Sequence, residues 1–372
     1  MKFKKTFINL ALTLSSIYIP LLTFSAFDYT QYYFKKHSNY KTENHEKELI
    51  SAVQDGYIPT FLPNNFFNQQ KIPKTYLIGS LPNTQSFFCD EGYGLIKYKT
   101  DRFGLRNLDQ KWDKFANGSN IFLIGDSFTH GACLPDEKLI SSHIEVSTKK
   151  NTFNLGMAGN SPYEYIAILK SLVRPLINES NKDNKVIIIF YSNDNLPVND
   201  KKEQLLSSVK SIFNMSNKNS PNLTIDYRKN INFFIKDNYP TTQKKIISEL
   251  NRKKNYFNKN FFYTIASLFN IRRRIGLSGL NYLSLSSQLS ENSPSLRSIS
   301  LLSESCQNPC KPYVAYIPSS SYWDPHPYNK NYKKELKKIA YKFSIPFIDG
   351  EEVIDSNNLS DYAPKGPHLS IK

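Results

Sequence analysis

Four short stretches carry the groups that acyl transfer needs, in the order Gly125-Asp126-Ser127, Gly159-Asn160, Asn193-Asp194 and His368. A serine hydroxyl attacks an ester carbonyl only if a base takes its proton, and His368 suits that task because imidazole titrates near neutral pH. The oxyanion of the tetrahedral intermediate needs donors already aimed at it. The backbone N–H groups of Ser127 and Gly159 and the side-chain amide of Asn193 are the candidates, and losing one such donor typically costs about 10²–10³ in rate. Gly159 lets the backbone approach closely because no Cβ intervenes. The Ser127 stretch is not the glycine-flanked nucleophile elbow, since Thr129 stands where the second glycine would be. Alone it would read as a turn; its ordered downstream partners make it a candidate nucleophile.

These groups must sit at strand ends to meet. Ile121-Phe122-Leu123-Ile124 is an apolar run with the length of a buried parallel strand, and ligands bind beyond the carboxyl ends of such strands. Thr152–Leu155, Val186–Phe190, Pro312–Pro318 and Pro346–Asp349 read as further strands. Between the second and third, Ser161-Pro162-Tyr163-Glu164 is a capping box with proline at the first helical position. Ile166, Leu169, Val173 and Leu176 form the apolar stripe of the helix it opens. A second helix carries Tyr332, Leu336, Ile339, Ala340 and Phe343 on one face. The alternation predicts an α/β fold with a parallel sheet between helices.

The same stretches resemble the SGNH, or GDSL, hydrolase family. Gly125-Asp126-Ser127-Phe128-Thr129 looks like its first block, Asn154–Gly159 its second, Ser192-Asn193-Asp194 its third and His368-Leu369-Ser370 its last. The resemblance covers about 116–200 and 305–372. It implies a three-layer α/β/α flavodoxin-like sheet, and ester hydrolysis or acyl transfer without a cofactor or metal. Three features depart from the family pattern. The position three before the histidine, where an orienting aspartate is expected, is Lys365. Asp361 is placed with the catalytic pair instead, Asp355 and Asp349 being the other carboxylates within reach and a backbone carbonyl the alternative. Tyr191 replaces the glycine that usually opens the third block, and only four residues follow His368, where a closing helix is expected.

Other histidines and arginines read as bystanders. His130 is expected at the surface or rim, His143 on a helix and His326 in loop packing, while Arg102 and Arg106 are expected to be solvated rather than to reach the site.

Met1-Lys2-Phe3-Lys4-Lys5 followed by an uncharged run from Thr6 to Phe27 has the pattern of a signal anchor or signal peptide, the anchor being favoured. The three lysines would stay in the cytoplasm and the body would face outward, on the periplasmic or extracellular side of a single span. An even count of four cysteines suits that compartment. Cys306 is expected to pair with Cys310, and Cys89 with Cys133, tying an N-terminal segment to the catalytic loop. Zinc competes poorly, because no histidine neighbours the Cys-x3-Cys at ligand spacing. The expected organisation is a membrane segment at 1–27, a stalk and extension at 28–115, and a catalytic domain at 116–372 interrupted by a mostly helical insertion or lid at 201–304.

Net charge is +16, yet no nucleic-acid motif accompanies it and the lysines are scattered among asparagines. The expected activity is therefore hydrolysis of short acyl or acetyl esters, on a small molecule or a carbohydrate of the envelope or extracellular space, without nucleic acid. An envelope O-acyltransferase using the same residues is the first alternative, and a catalytically inactive glycan-binding protein the second.

Overall fold

The computed structural model describes residues 15–16, 18–27, 42–60, 79–80, 82–180, 182–195, 268, 293–323 and 331–372. Those at 15–16, 18–27, 42–45 and 268 fall in one compact unit, and the rest in a second that holds every strand. In the first unit, residues 18–27 are helical. Among the described residues no helix is long and apolar enough to cross a membrane, and part of the expected anchor lies outside them.

The second unit begins at Glu46, within the helix α1 (Thr42–Gln54), and continues with a small sheet in the order β1 (Ile58–Pro59), β2 (Gln85–Phe87), β3 (Lys97–Lys99), the last pair antiparallel. The main sheet follows. Its strands are β4 (Asn120–Ile124), β5 (Asn151–Asn154), β6 (Lys185–Tyr191), β7 (Lys311–Ile317) and β8 (Phe347–Asp349), all parallel and in the order β5-β4-β6-β7-β8. That order, second-first-third-fourth-fifth, is consistent with a flavodoxin-like sheet, and it reverses direction beside β4. The expected strands all form, each within a residue or two of its sequence-based limits.

Side chains alternate across the sheet because successive Cβ atoms point to opposite faces. Val186, Ile188 and Phe190 of β6 join one cluster, together with Phe122, Ile124, Val314 and Tyr316. Helices cover that face: α4 (Pro162–Ile168), whose chain continues through a π-helical turn (Leu169–Val173) into α5 (Arg174–Ser180), then α6 (Pro294–Ser305) and α7 (Tyr332–Lys342). The expected capping box is present, with Glu164 accepting from the Ser161 N–H at 2.7 Å. Ile189, Tyr191 and Ile317 face the other way, against Phe128, Ile140, Ile354 and Leu369.

The last eleven residues of the expected insertion, 294–304, belong to α6, whose Leu296, Ile299 and Leu302 are buried. The start is set locally: Ser293 accepts from the Leu296 N–H and Pro294 takes the first turn, where a missing N–H costs nothing. Apart from Leu268 and Ser293, the remainder of that segment lies outside the described residues, as does His326. Both expected disulfides form, Cys306–Cys310 and Cys89–Cys133.

Candidate active site

Ser127 opens α2 (Ser127–His130), a single turn that begins two residues after β4 ends. Asp126 caps it, accepting from the Phe128 N–H at 2.9 Å. As the first helical residue, Ser127 has an N–H without an intrahelical partner. This is one donor of the expected oxyanion hole. Gly159 follows β5 with φ +87°, a left-handed conformation that a side chain rarely tolerates. Asn193 lies in the 3-10 turn Ser192–Asn195 that ends β6. Its neighbour Asp194 fixes the turn, accepting from the Tyr191 N–H at 2.9 Å and from the Tyr165 hydroxyl at 2.9 Å. Strand pairing thus sets Ser127 between the loops that hold Gly159 and Asn193, because β5 and β6 flank β4. The Asn193 amide makes no hydrogen bond among the described residues.

His368 arrives from the far end of the chain. Tyr362 and Leu369 form an antiparallel bridge, the Ala363 N–H donates to the His368 carbonyl at 2.7 Å and the Ser370 N–H to the Asp361 carbonyl at 3.0 Å. The resulting hairpin presents the imidazole to the serine: Nε2 lies 3.0 Å from Ser127 Oγ. The Phe128 ring, stacked on Tyr191 at 3.9 Å, packs 4.9 Å from the imidazole.

The group that orients His368 is Glu91, not Asp361. Glu91 Oε1 lies 2.8 Å from His368 Nδ1, and Oε2 accepts from the His368 backbone N–H at 3.2 Å. An ionised carboxylate only accepts, so Nδ1 carries the proton and Nε2 is left as the acceptor for the serine hydroxyl. The Asp361 carboxylate is used within its own turn, accepting from the Asp355 N–H at 2.9 Å and the Asn358 amide at 3.0 Å. Asp355 accepts from the Asn357 N–H, and Asp349 is paired with Lys333. None of the three carboxylates near His368 in sequence reaches the imidazole.

Glu91 is set by its own loop. Asp90 Oδ1 accepts from the N–H groups of Gly92 at 2.7 Å and Gly94 at 3.0 Å, which curls the chain around Glu91. The loop then docks on the histidine hairpin through Lys365 N–H to Glu91 O at 3.0 Å and Ile371 N–H to the Tyr93 hydroxyl at 3.3 Å. A Cβ on Gly366 would lie 1.9 Å from the Glu91 carboxyl carbon. The residue beside Lys365 therefore leaves the space that the glutamate fills. Cys89, two residues before Glu91, is bonded to Cys133, whose sulfur is 4.0 Å from His368 Nδ1.

The segment expected as a stalk contributes further supports from Glu46 onward. Arg106, expected at the surface, is buried; its guanidinium donates to the carbonyls of Gly131 at 2.8 Å and Leu134 at 2.6 Å and to Asp136 at 2.7 Å. It thereby holds the loop after α2. Arg102 does pair locally, with Asp109 and Asp113. His130, expected at the rim, is only 1 % exposed, with Nε2 3.0 Å from the Tyr98 hydroxyl, which in turn meets Thr60 Oγ1 at 2.6 Å. Burial, and then the neighbouring Arg106 charge, hold its imidazole well below the ordinary range, so it is neutral and linked to β3 rather than a second base. His143 lies on the helix α3 (Ile140–Thr148), as expected.

Beneath the nucleophile lie two buried carboxylates. Burial pushes Asp126 up to about 6, against the opposing effects of the Phe128 N–H and the His368 charge. Asp194 is pushed well above the carboxylate range by burial and then by Asp126. Among the described residues, Glu91, Cys133 and His368 are the one group of three potential metal ligands. The Cys133 sulfur is committed to its disulfide and the other two to each other, so the set does not fit a metal.

A cleft of about 130 Å³ opens beside Ser127 and His368. Its walls are largely apolar, from Phe128, Ala132, Leu134, Ile140 and Leu369. With a water occupying about 30 Å³, it holds roughly four waters or a short acyl chain. No protein-family model and no curated protein sequence matches the chain.

Proposed function

We propose that the protein is a serine ester hydrolase of the SGNH type, on a three-layer flavodoxin-like domain, with Ser127 as nucleophile, His368 as base and Glu91 as the carboxylate that orients the base. The observation that carries this reading is the unbroken chain from Glu91 Oε1 to His368 Nδ1 at 2.8 Å and from His368 Nε2 to Ser127 Oγ at 3.0 Å. Both contacts are within the range from which a proton is transferred.

The steps follow from the geometry. Ser127 Oγ bonds to the ester carbonyl carbon as its proton passes to His368 Nε2, and Glu91 stabilises the imidazolium. The carbonyl electron pair moves to oxygen, where the N–H groups of Ser127 and Gly159 and the Asn193 amide receive it. Collapse breaks the bond to the alcohol oxygen, which takes the proton from Nε2. Water then gives a proton to His368 and attacks the acyl-serine, releasing the acid and restoring Ser127.

The small apolar cleft favours a short acyl group. The two disulfides favour an oxidising compartment, and the basic start with its uncharged run favours attachment to a membrane, with the catalytic unit outside the cytoplasm. The test is turnover of 4-nitrophenyl acetate by the full chain in detergent, beside Ser127→Ala and His368→Ala. Each variant is expected to lose at least ~10⁴ in kcat, and both together no more than either alone, because the two act as a unit. Turnover that survives Ser127→Ala would overturn the reading.

A further inference from the structure

The cleft that opens on Ser127 and His368 is asymmetric in charge. Lys138 and Lys372 border it, and among the described residues no aspartate or glutamate does. Lys138 is half-buried and makes no ion pair among the described residues. Of the two acidic residues in its own turn, Asp136 is already held by Arg106 at 2.7 Å, and Glu137 is exposed and does not border the cleft. Glu91 is tied to the imidazole and does not line the cleft. An ammonium at the edge of an apolar recess loses part of its hydration, and a ligand anion is the group that restores the balance.

The backbone at Lys138 is also held in place. It ends the 3-10 turn Asp136–Lys138, and Arg106 fixes that turn through Asp136 and through the Leu134 carbonyl just before it. A cation carried on fixed backbone near a reacting centre needs less ordering on binding than one carried on a mobile loop.

We propose that the esters cleaved at Ser127 carry an anionic group, carboxylate or phosphate, which Lys138 receives at the rim of the cleft. The proposal rests on Ser127 being the nucleophile. It assigns the substrate class: short acyl esters of an acidic compound, such as an O-acetylated acidic sugar, or esters whose acyl group itself ends in a carboxylate. A chain of net charge +16 would also draw such substrates in from a distance.

The experiment compares matched pairs on the full chain in detergent. O-acetylated methyl galacturonide against O-acetylated methyl galactoside puts the charge on the alcohol side. 4-Nitrophenyl hemisuccinate against 4-nitrophenyl butyrate puts it on the acyl side. At least one pair is expected to favour the anion by about tenfold in kcat/KM, mainly through KM, with the ratio shrinking as salt rises. Lys138→Ala is expected to bring that ratio to about one, and Lys138→Glu to invert it. The pair that responds tells which side of the ester the cation faces. Equal kcat/KM within both pairs, or a preference unchanged in Lys138→Ala, overturns the charge assignment while leaving the serine hydrolase intact. No turnover of any ester, with no labelling of Ser127 by a fluorophosphonate, overturns the nucleophile assignment and this proposal with it.

Discussion

Ser127 and Glu91 meet at His368 from regions built on different physical grounds. Ser127 follows β4, whose five residues are all buried between β5 and β6, so its position is inherited from the sheet. Glu91 sits in a loop outside that sheet, 277 positions from the histidine it contacts. Nothing like a strand core holds it. Its place depends on the Asp90 turn, two backbone contacts to the histidine hairpin, the space at Gly366 and one covalent bond, Cys89–Cys133. A sheet fixes its strand ends through many weak contacts at once, whereas the acid of this site depends on a few strong ones. Damage should therefore spread differently through the two regions.

The largest expected effect that separates them comes from Glu91→Gln. An amide keeps the shape but can donate to Nδ1, which favours the tautomer that cannot accept the serine proton, and kcat should fall by about 10²–10⁴ with folding unchanged. Asp361→Asn should lower kcat no more than a few-fold, since that carboxylate serves the turn from Asp355 to Asp361. Measuring both on one ester decides the matter. The reverse ranking would return Asp361 to the site and remove Glu91.

A smaller effect is expected from cutting the strap. The Cys89–Cys133 bridge closes a loop of sequence separation 44, for which the chain-entropy relation gives about 4 kcal/mol of stabilisation. The Cys89→Ser, Cys133→Ser double variant should lose a stabilisation of that order in urea. It should also lose about tenfold in kcat as Glu91 spends less time on the imidazole. Removing Cys306–Cys310, with a separation of only 4, should leave kcat within a factor of two. Equal activity losses from the two bridges would mean that neither acts by holding Glu91.

The contrast also explains what could be read from the sequence. Four of the five parallel strands were legible as short apolar runs broken by polar residues, β5 (Asn-Thr-Phe-Asn) being the exception, and the capping box at Ser161 marked the helix between two of them. Ser127 and His368 were legible by type and order. Glu91 was not, because Asp90-Glu91-Gly92 looks like any acidic turn and the pairing that matters is remote. One signal did point there. Pairing Cys89 with Cys133 ties the first segment to the loop after Ser127, and so brings an acidic residue two positions from Cys89 to the edge of the site. His130 was misread for the same reason: its partner, Tyr98, lies on a strand of the other sheet. The helix α6 was hidden by its serines; Ser295, Ser298 and Ser305 are buried beside Ile299 and Leu302, so its polar composition does not mark its exposed face.

The smallest effect concerns the floor beneath Ser127, where both regions converge. Asp126 is raised to about 6 from an ordinary 3.8, chiefly by burial, so between these values the folded chain holds a proton that the unfolded chain has released. Stability then falls as pH rises through that window, because the native state binds more protons there than the unfolded one. Asp126→Asn keeps a side-chain acceptor for the Phe128 N–H but cannot ionise. Urea midpoints at pH 4, 5, 6 and 7 should show the variant gaining on the wild type as pH rises from about 4 to 6, then holding a constant lead. Asp101 is raised too, by burial, and tilts both proteins alike, whereas Asp194, raised by burial and then by the Asp126 charge, is raised less in the variant and adds to its gain. If the lead grew instead as pH fell, Asp126 would be stabilised in its charged form, which its burial under the nucleophile opposes.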